Sequence, residues 1–457
     1  MNSKLTNMFA AAMVAATGTA VLNAAQVDTV LVRQQWPWNT EVRVEYVVSG
    51  ATAPAEVSFT FRNGGVTVPV ADATALKGDR LWAGNGTHVV TFNPRDLFGP
   101  AAPNEYAAFT VDVTLGTENA AMGDKLYRIV DLETGAVEDR VRGDFYNGKY
   151  GKFETDYTAL FSRLITPLSD VFIWTDVTNN IAWRTSKMVF RRIPAAAYGS
   201  WLMGTISASS GVTASRHLVQ LTSDYWMGVF PVTQRQYEIL MGERGEYFTN
   251  ETTHVERDGY PMCDISYNTC RGTTYNWTVD GHQVASSSFI GQLRAKTGNT
   301  SEFDLPTEAQ WEFASHAGQF DVELYSGRDW SQTATYEVSW NSGNSSVDGV
   351  YQVHVVGRKL PNAYGLYDTL GNVWEWCLDW SDGNDYAWTS TETPEVNPQG
   401  VAMSAVTLDA SGNGNHIARG GTYRISRLYS GCGTRKSENS SSTVDGSVGV
   451  RVCCPVE

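Results

Sequence analysis

Acidic, glycine and tryptophan residues are concentrated in one stretch of twelve residues, from Gly365 to Trp376. Asp368 and Glu375 bring carboxylates, and the glycines at 365 and 371 allow the backbone to bend and present its carbonyl groups. Carboxylates mixed with carbonyls are the ligands that calcium prefers. Two tryptophans in the same stretch favour a folded core over a solvated loop. The pattern leaves two interpretations open, a cation site or a turn that caps a hydrophobic core.

Composition excludes some classes of function. The chain has 457 residues, of which 42% are hydrophobic and 12% aromatic, enough to fill the cores of two or three domains. Its formal net charge of -15 argues against nucleic acid as a partner. Beyond the N-terminus, no apolar stretch is long enough for a membrane span.

The N-terminus has the pattern of a secretory signal peptide. Lys4 is followed by an apolar, alanine-rich run from Met8 to Leu22, and Ala24-Ala25 is suitable for a cleavage site. We therefore expect residues 1–25 to be a signal peptide and the protein to be exported, that is secreted, periplasmic or on the cell surface. Six cysteines all lie after residue 262, and the sequence does not determine whether or how they pair.

Residues 26–116 are predicted to form a β-sandwich of the immunoglobulin or fibronectin kind. Apolar and polar residues alternate over Val42–Val48, Val57–Phe61 and Phe109–Leu115, which is the pattern of half-buried strands. Asn63-Gly64 is a hairpin signal between two such runs. Residues 117–187 are not rich enough in Gly, Ser or Pro for a flexible linker, so we expect a connecting segment packed on both domains.

A second domain is predicted over residues 188–457. Thr233 with Gln236 and Thr307 with Gln310 are capping-box pairs that mark the first turns of helices. Most of the remaining sequence is rich in Gly, Asn and Ser and is expected to form loops joined by short strands. The predicted fold class of the whole chain is α+β, with few helices in the second domain.

The second domain carries five motifs in a fixed order. They are Gly228–Thr233 (GVFPVT), Leu305–Glu312 (LPTEAQWE), Gly365–Trp376 (GLYDTLGNVWEW), Arg419–Tyr423 (RGGTY) and Gly449–Arg451 (GVR). Together, over about residues 188–455, they resemble the sulfatase-modifying factor family, the family of formylglycine-generating enzymes. The resemblance implies a C-type-lectin-like fold with little regular structure and many loops.

The resemblance also implies a calcium site in the Gly365–Trp376 stretch. It assigns the carboxylates of Asp368 and Glu375 and the backbone carbonyls of Gly371 and Val373 as ligands. We therefore expect calcium as a cofactor that holds loops in place. The alternative is a packed turn without a metal.

The oxidase members of this family bind copper(I) through two cysteines five residues apart, shortly after the Gly-Gly-Ser-Tyr-like motif. Copper(I) requires soft ligands such as thiolates. Here the two positions are occupied by Ile425 and Ser430, and no two cysteines of the chain are five residues apart. We therefore expect no copper and no catalytic residues, as in a pseudoenzyme. The alternative is an oxidoreductase of the same family that uses residues other than cysteine.

A binding role is the hypothesis from a different class. The segment from Arg424 to Ser447 is rich in Ser, Arg and Asn, and C-type-lectin-like domains commonly use this region for ligand contact. By this analogy we expect a calcium-braced module for an extracellular protein or glycan. The alternative is that the segment from Arg424 to Ser447 is a solvated loop with no ligand. The predicted contact residues are Arg424, Arg427, Tyr429, Arg435 and Lys436.

Two acidic residues in the predicted helix after Thr307 also require an interpretation. Glu308 and Glu312 are four residues apart, so they share one face of the helix. A paired-carboxylate catalytic site is conceivable for such a pair. We favour a structural role in which the carboxylates satisfy buried polar groups.

Overall fold

The structure is a computed structural model that describes residues 24–34, 39–155, 171–205, 215–243, 257–320, 324, 331–384, 390–441 and 446–456. Residues 1–23, which contain most of the predicted signal peptide, lie outside the described residues. The chain divides into two compact units. The first unit contains the described residues up to Leu126 together with 140–152, and the second contains 127–139 and the described residues from 153 onwards.

Two small sheets form the first unit. One has the strand order β1-β2-β7-β5, and in the other β3 pairs with β4, β6 and β8. Two short helices, α1 (Pro94–Phe98) and α2 (Arg142–Tyr146), complete the unit. The strands are β1 (Gln26–Gln34), β2 (Val42–Ser49), β3 (Ala55–Asn63), β4 (Val66–Thr67), β5 (Lys77–Gly78), β6 (Trp82–Ala83), β7 (Gly86–Phe92) and β8 (Phe109–Glu118).

Alternating side chains form the core of the first unit. Val44 and Tyr46 of β2 face inward, and they belong to one hydrophobic cluster with Phe61 of β3 and Val113 of β8. Successive side chains of a strand point to opposite faces, so the alternation read from the sequence becomes the buried face of each sheet. The two sheets therefore share one hydrophobic core, as the predicted β-sandwich requires.

The predicted hairpin is also present. Asn63 of β3 pairs with Val66 of β4, and the two residues between them are Gly64 and Gly65. Both glycines have positive φ, 56° and 83°, as a tight two-residue hairpin turn requires.

A five-stranded sheet with the order β10-β9-β13-β16-β24 spans the second unit, and β9 and β10 come from the segment 117–187. The remaining strands form small sheets, of which β22-β21-β19-β23 matters most for the site. The strands are β9 (Lys125–Asp131), β10 (Val137–Val141), β11 (Phe153–Glu154), β12 (Ile173–Trp174), β13 (Lys187–Ile193), β14 (Ser200–Met203), β15 (His217–Gln220), β16 (Tyr225–Gly228), β17 (Ser346–Val347), β18 (Val350–Tyr351), β19 (Trp374–Ser381), β20 (Glu395–Val396), β21 (Asn415–Arg419), β22 (Arg435–Asn439), β23 (Val448–Gly449) and β24 (Cys453–Pro455).

Two helices of the second unit begin at the capping boxes that the sequence predicts. Both capping boxes are formed: the hydroxyls of Thr233 and Thr307 each accept a hydrogen bond from the backbone N–H of the Gln three positions on. The backbone N–H of each Thr in turn donates to the side-chain oxygen of that Gln. A cap of this kind stabilises a helix by about 1 kcal/mol. The helices are α3 (Gln234–Met241), α4 (Tyr267–Arg271), α5 (Trp277–Asp280), α6 (Phe289–Lys296), α7 (Glu308–His316) and α8 (Gln332–Val338).

Among the described residues of the second unit short strands outnumber helices, as in the predicted α+β class. Within the part of the chain that the structure describes, no helix is both long enough and apolar enough to cross a membrane.

Candidate functional site

The Gly365–Trp376 stretch folds as a sharply bent segment that leads into β19. Asp368, Gly371 and Asn372 all have left-handed backbone conformations, with φ of 54°, 75° and 64°. Gly, Asn and Asp tolerate this conformation better than other residues. A Cβ on Gly371 would lie 2.1 Å from the carbonyl oxygen of Trp340, so the close approach of these two backbones also requires glycine.

Glu375 is completely buried and forms an ion pair with Arg451. The guanidinium donates from Nε to Oε2 over 2.8 Å and from one terminal nitrogen to Oε1 over 2.7 Å. The indole Nε1 of Trp311 donates a further hydrogen bond of 2.6 Å to Oε2. Two-point pairing of this kind is among the stronger hydrogen-bonded contacts in proteins.

Asp368 is buried in a separate set of contacts. Its Oδ2 accepts a hydrogen bond of 2.6 Å from the backbone N–H of Gly357, and Asn372 donates a long one, 3.5 Å, to Oδ1. Burial raises the pKa of Asp368 to about 6, although the Gly357 hydrogen bond and the charge of Arg451 oppose the shift. Val373, a predicted carbonyl ligand, has its side chain in a small core cluster.

These contacts do not fit the calcium site that the resemblance implies. Both oxygens of Glu375 are already occupied, and the cation beside them is the guanidinium of Arg451. Among the residues that the structure describes, no three His, Cys, Asp or Glu side chains form a group that could hold a metal ion. Calcium binding by Asp368, Gly371, Val373 and Glu375 therefore stays a prediction of the resemblance.

The two positions expected for copper ligands lie in and after the loop that follows Gly421. Ile425 is half-buried and packs against the main hydrophobic core of the second unit. Ser430 is fully buried, and its Oγ has no hydrogen-bond partner among the described residues. The nearest cysteine in sequence is Cys432, whose Sγ lies 3.4 Å from the hydroxyl of Ser315.

The five predicted contact residues fall into two groups. Arg424 is exposed, while Arg427 and Tyr429 are half-buried in a short 3₁₀ turn. Arg435 and Lys436 begin β22, and each is paired with an acidic side chain of the same unit. The Nζ of Lys436 lies 2.6 Å from Oε2 of Glu438. The structure thus brings the first three together in one loop and the other two onto the neighbouring strand.

Glu308 and Glu312 share one face of α7, as predicted, and both contact Arg419 of β21. The Nε of Arg419 lies 2.9 Å from Glu308, and a terminal nitrogen donates to Glu312. Arg435 adds a two-point pair to Glu308, with distances of 2.8 and 2.9 Å. These partners support the structural role of the two carboxylates, because every charge in the group is matched.

The same network fixes the protonation of two deeply buried groups. Burial alone would raise the pKa of Glu312, but the charge of Arg419 lowers it to about 2. Burial alone would lower the pKa of His316, but the neighbouring Cys432 and Glu312 raise it to about 10. Near neutral pH the helix therefore carries an anionic Glu312 and a cationic His316.

Asp379 is a functional candidate that sequence reasoning missed. It lies in β19, is 2% exposed, and its Oδ2 accepts a hydrogen bond of 2.7 Å from the backbone N–H of Glu308. Burial and the charge of Glu308 raise its pKa to about 8, so the carboxyl keeps its proton at neutral pH. The available signal was an acid inside a run of otherwise apolar residues.

Replacing Glu375 by Gln should destabilise the second unit strongly. The variant leaves Arg451 charged and buried without its anion, a change that typically costs about 3–5 kcal/mol. Urea unfolding followed by tryptophan fluorescence measures the loss. The control is Glu438→Gln, which breaks the partly exposed pair with Lys436 and should cost less than about 1 kcal/mol. Equal costs for the two variants would contradict the assignment.

Calcium titration tests the implied metal site. From the contacts of Glu375 we expect the melting temperature of the protein to be the same with millimolar calcium and with a chelator. A melting temperature that rises with calcium in the wild type but not in Asp368→Ala would contradict this expectation and would support the calcium site that the resemblance implies.

The raised pKa of Asp379 predicts a pH-dependent stability difference. A carboxyl whose folded pKa exceeds its unfolded value of 3.8 stabilises the fold fully below that value, and this contribution is lost as pH rises through the folded pKa, about 8. Asp379→Asn keeps the acceptor oxygen but does not titrate. We expect the wild type to lose stability relative to the variant between pH 4 and pH 8, measured by urea unfolding at each pH. A difference that does not change with pH would refute the shift.

Comparison with known proteins gives a consistent family. The model of the sulfatase-modifying factor enzyme 1-like domain matches residues 192–455. Formylglycine-generating enzyme of Streptomyces coelicolor is 34% identical over 152 residues, 32% of this chain and 43% of the relative. Inactive C-alpha-formylglycine-generating enzyme 2 of Mus musculus is 34% identical over 119 residues, 25% of this chain and 35% of the relative. In both cases the match covers less than half of the relative's length.

Among solved structures, Treponema denticola variable protein 1 aligns over 59% of this chain and 96% of its own, with 22% identity and a TM-score of 0.45. The family model covers more than half of the chain, and all five motifs quoted above fall within it. The chain belongs to the sulfatase-modifying factor enzyme 1-like domain family.

Proposed function

We propose that this chain is a ligand-binding member of its family, without the copper-dependent oxidation of formylglycine-generating enzymes. The observation that carries the proposal is the identity of two residues, Ile425 and Ser430, at the positions where the oxidases have their copper-binding cysteines. An isoleucine has no donor atom for a metal, and a serine hydroxyl is a hard ligand that copper(I) does not favour.

The surroundings of these two positions support the proposal. Ile425 belongs to the hydrophobic packing of the second unit, and Ser430 is closed off from solvent. Cys432 is buried as well. Copper(I) would need two thiolates at one point, and the six cysteines contain no pair at the oxidase spacing. The name of the mouse relative also describes an inactive protein, which fits loss of activity within the family.

The ligand surface of the proposal is the loop of Arg424, Arg427 and Tyr429, with Arg435 and Lys436 on the strand that follows. Arginine and tyrosine are enriched at protein interfaces. Arg424 also stacks over the ring of Tyr423 at 5.2 Å, which holds the exposed guanidinium in place. With export as predicted from the N-terminus, the partner would be an extracellular protein or a glycan.

An aldehyde assay tests the absence of oxidase activity. Purified protein loaded with copper(I) is incubated with a Cys-x-Pro-x-Arg peptide and oxygen, and the product is trapped with a hydrazide and measured by mass spectrometry. We expect no aldehyde, whereas the Streptomyces coelicolor enzyme under the same conditions serves as the positive control.

Aldehyde formation by the wild type would contradict the proposal. The double variant Ile425→Cys with Ser430→Cys is the matched comparison, because it restores the two thiols at the oxidase spacing. Copper(I) binding by this variant alone, measured by competition with a chromogenic chelator, would show that the missing thiols are what separates this chain from copper binding.

A further inference from the structure

A short hairpin of the second unit, formed by β17 and β18, lies in solvent. Val347 at the end of β17 pairs with Val350 at the start of β18, and Asp348 and Gly349 between them form a tight turn with φ of 52° and 81°. Every residue from 346 to 351 is exposed. Neither face of the hairpin is therefore covered within the described part of the chain.

Apolar side chains make up half of this hairpin. Val347 is 43% exposed, Val350 is 66% exposed and Tyr351 is 48% exposed. Directly opposite residues of two paired strands point to the same face, so Val347 and Val350 form one exposed apolar pair. Single apolar residues scattered over a surface are common, whereas neighbouring ones mark sites of interaction.

The base of the hairpin is fixed inside the protein. Ser345, which precedes β17, and Val353, which follows β18 after one residue, are both buried. The Nε2 of His354 donates to the backbone carbonyl of Ser345 over 3.0 Å, and the ring of His354 stacks on that of Trp340 with 3.7 Å between centroids. A fixed base reduces the conformational entropy that the exposed side chains lose when they bind a partner.

The same base joins the hairpin to the proposed ligand loop, residues 424–429, which we call the arginine loop. The hydroxyl of Ser345 donates to the backbone carbonyl of Tyr423 over 2.6 Å. The backbone N–H of Ser342 donates to the carbonyl of Ile425 over 2.8 Å. The hairpin and the arginine loop therefore leave the protein at neighbouring points, where one partner can contact both.

Positive charge distinguishes the arginine loop in a chain of net charge -15. Among the residues that the structure places, the side chain of Arg427 has no hydrogen bond and no ion pair. The guanidinium of Arg424 is exposed and lies over the ring of Tyr423. Asp348 is the single acidic residue of the hairpin and the loop together. The matching partner is anionic, since arginine pairs with carboxylates at two points and opposite charges favour association.

The apolar pair and the arginines together favour a protein over a glycan. A valine side chain has no hydrogen-bonding group, so Val347 and Val350 are stabilised only by contact with other apolar groups. Sugar hydroxyls do not offer such groups, and an acidic glycan offers carboxylates without aliphatic side chains. A protein surface on which acidic residues lie next to apolar ones offers both.

We propose that the hairpin and the arginine loop form one docking surface for a protein partner whose own surface carries acidic residues beside apolar ones. The inference deepens the proposed binding function and rests on it. It adds Val347, Val350 and Tyr351 to the contact residues, and it narrows the partner from a protein or a glycan to a protein.

Selection from a random-peptide phage library on the full-length wild-type protein tests the chemistry of the partner. We expect the enriched peptides to combine acidic with apolar residues. The enriched peptides are then synthesised, and their Kd values for the wild type and for surface variants are measured by fluorescence anisotropy. Circular dichroism and melting temperature establish that every variant is folded.

Two pairs of variants separate the contributions of the hairpin and of the arginine loop. Val350→Ser has Val66→Ser as its matched control, because Val66 is 72% exposed and also follows a two-residue hairpin turn, in the first unit. Arg427→Gln has Arg33→Gln as its control, because Arg33 is an exposed arginine of the first unit. We expect about tenfold or more weaker binding for Val350→Ser and for Arg427→Gln, and affinities within about twofold of wild type for both controls. The remaining affinity of Arg427→Gln should depend less on salt.

Several results would overturn the docking surface. They are the enrichment of no peptide, the enrichment of peptides without acidic residues, and equal affinities of Val350→Ser and Val66→Ser or of Arg427→Gln and Arg33→Gln. Binding on a glycan array that Val350→Ser abolishes would assign the surface to a glycan instead. A dimer in sedimentation velocity that Val350→Ser dissociates would assign it to a second copy of the chain.

These outcomes are distinguishable from a failure of the proposed function. Loss of peptide binding in Arg427→Gln but not in Val350→Ser would refute the part of the hairpin and leave a binding role for the arginine loop. The aldehyde assay decides separately whether the protein is an oxidase, since it depends on neither the hairpin nor the loop.

Discussion

The ion pair between Arg451 and Glu375 joins distant parts of the second unit. Besides the carboxylate, the guanidinium of Arg451 donates to the backbone carbonyls of Gly228 and Tyr367, both at 2.8 Å. One buried side chain of the Gly449–Arg451 motif thus contacts two other family motifs, Gly228–Thr233 and Gly365–Trp376. Because a buried ion pair recovers its desolvation cost only when every partner is present, these segments depend on one another for their conformation.

A second group of buried charges surrounds Arg419 of β21, whose backbone pairs with that of Glu375 in β19. Arg419 binds both carboxylates of α7, and Arg435 binds one of them from the next strand. The Gly365–Trp376 stretch, which contains Glu375, is also held by backbone hydrogen bonds and close packing.

Local patterns gave the fold more reliably than they gave the site. Alternation in β2, the hairpin at Gly64 and the capping box at Thr307 depend on neighbours in sequence, so they were predictable. The partner of Glu375 is 76 residues away, and no local pattern identifies it. Asp379 was missed for a related reason: its pKa depends on burial and on Glu308, which only the folded chain brings together.

The six cysteines of the second unit can report when that unit unfolds. All six are buried thiols in the second unit, and burial raises the pKa of Cys270, Cys377 and Cys453, which keeps them in the unreactive protonated form. A thiol reagent can therefore modify them only in molecules whose core has opened. The rate of labelling under native conditions would report local and global unfolding, residue by residue, without any introduced probe.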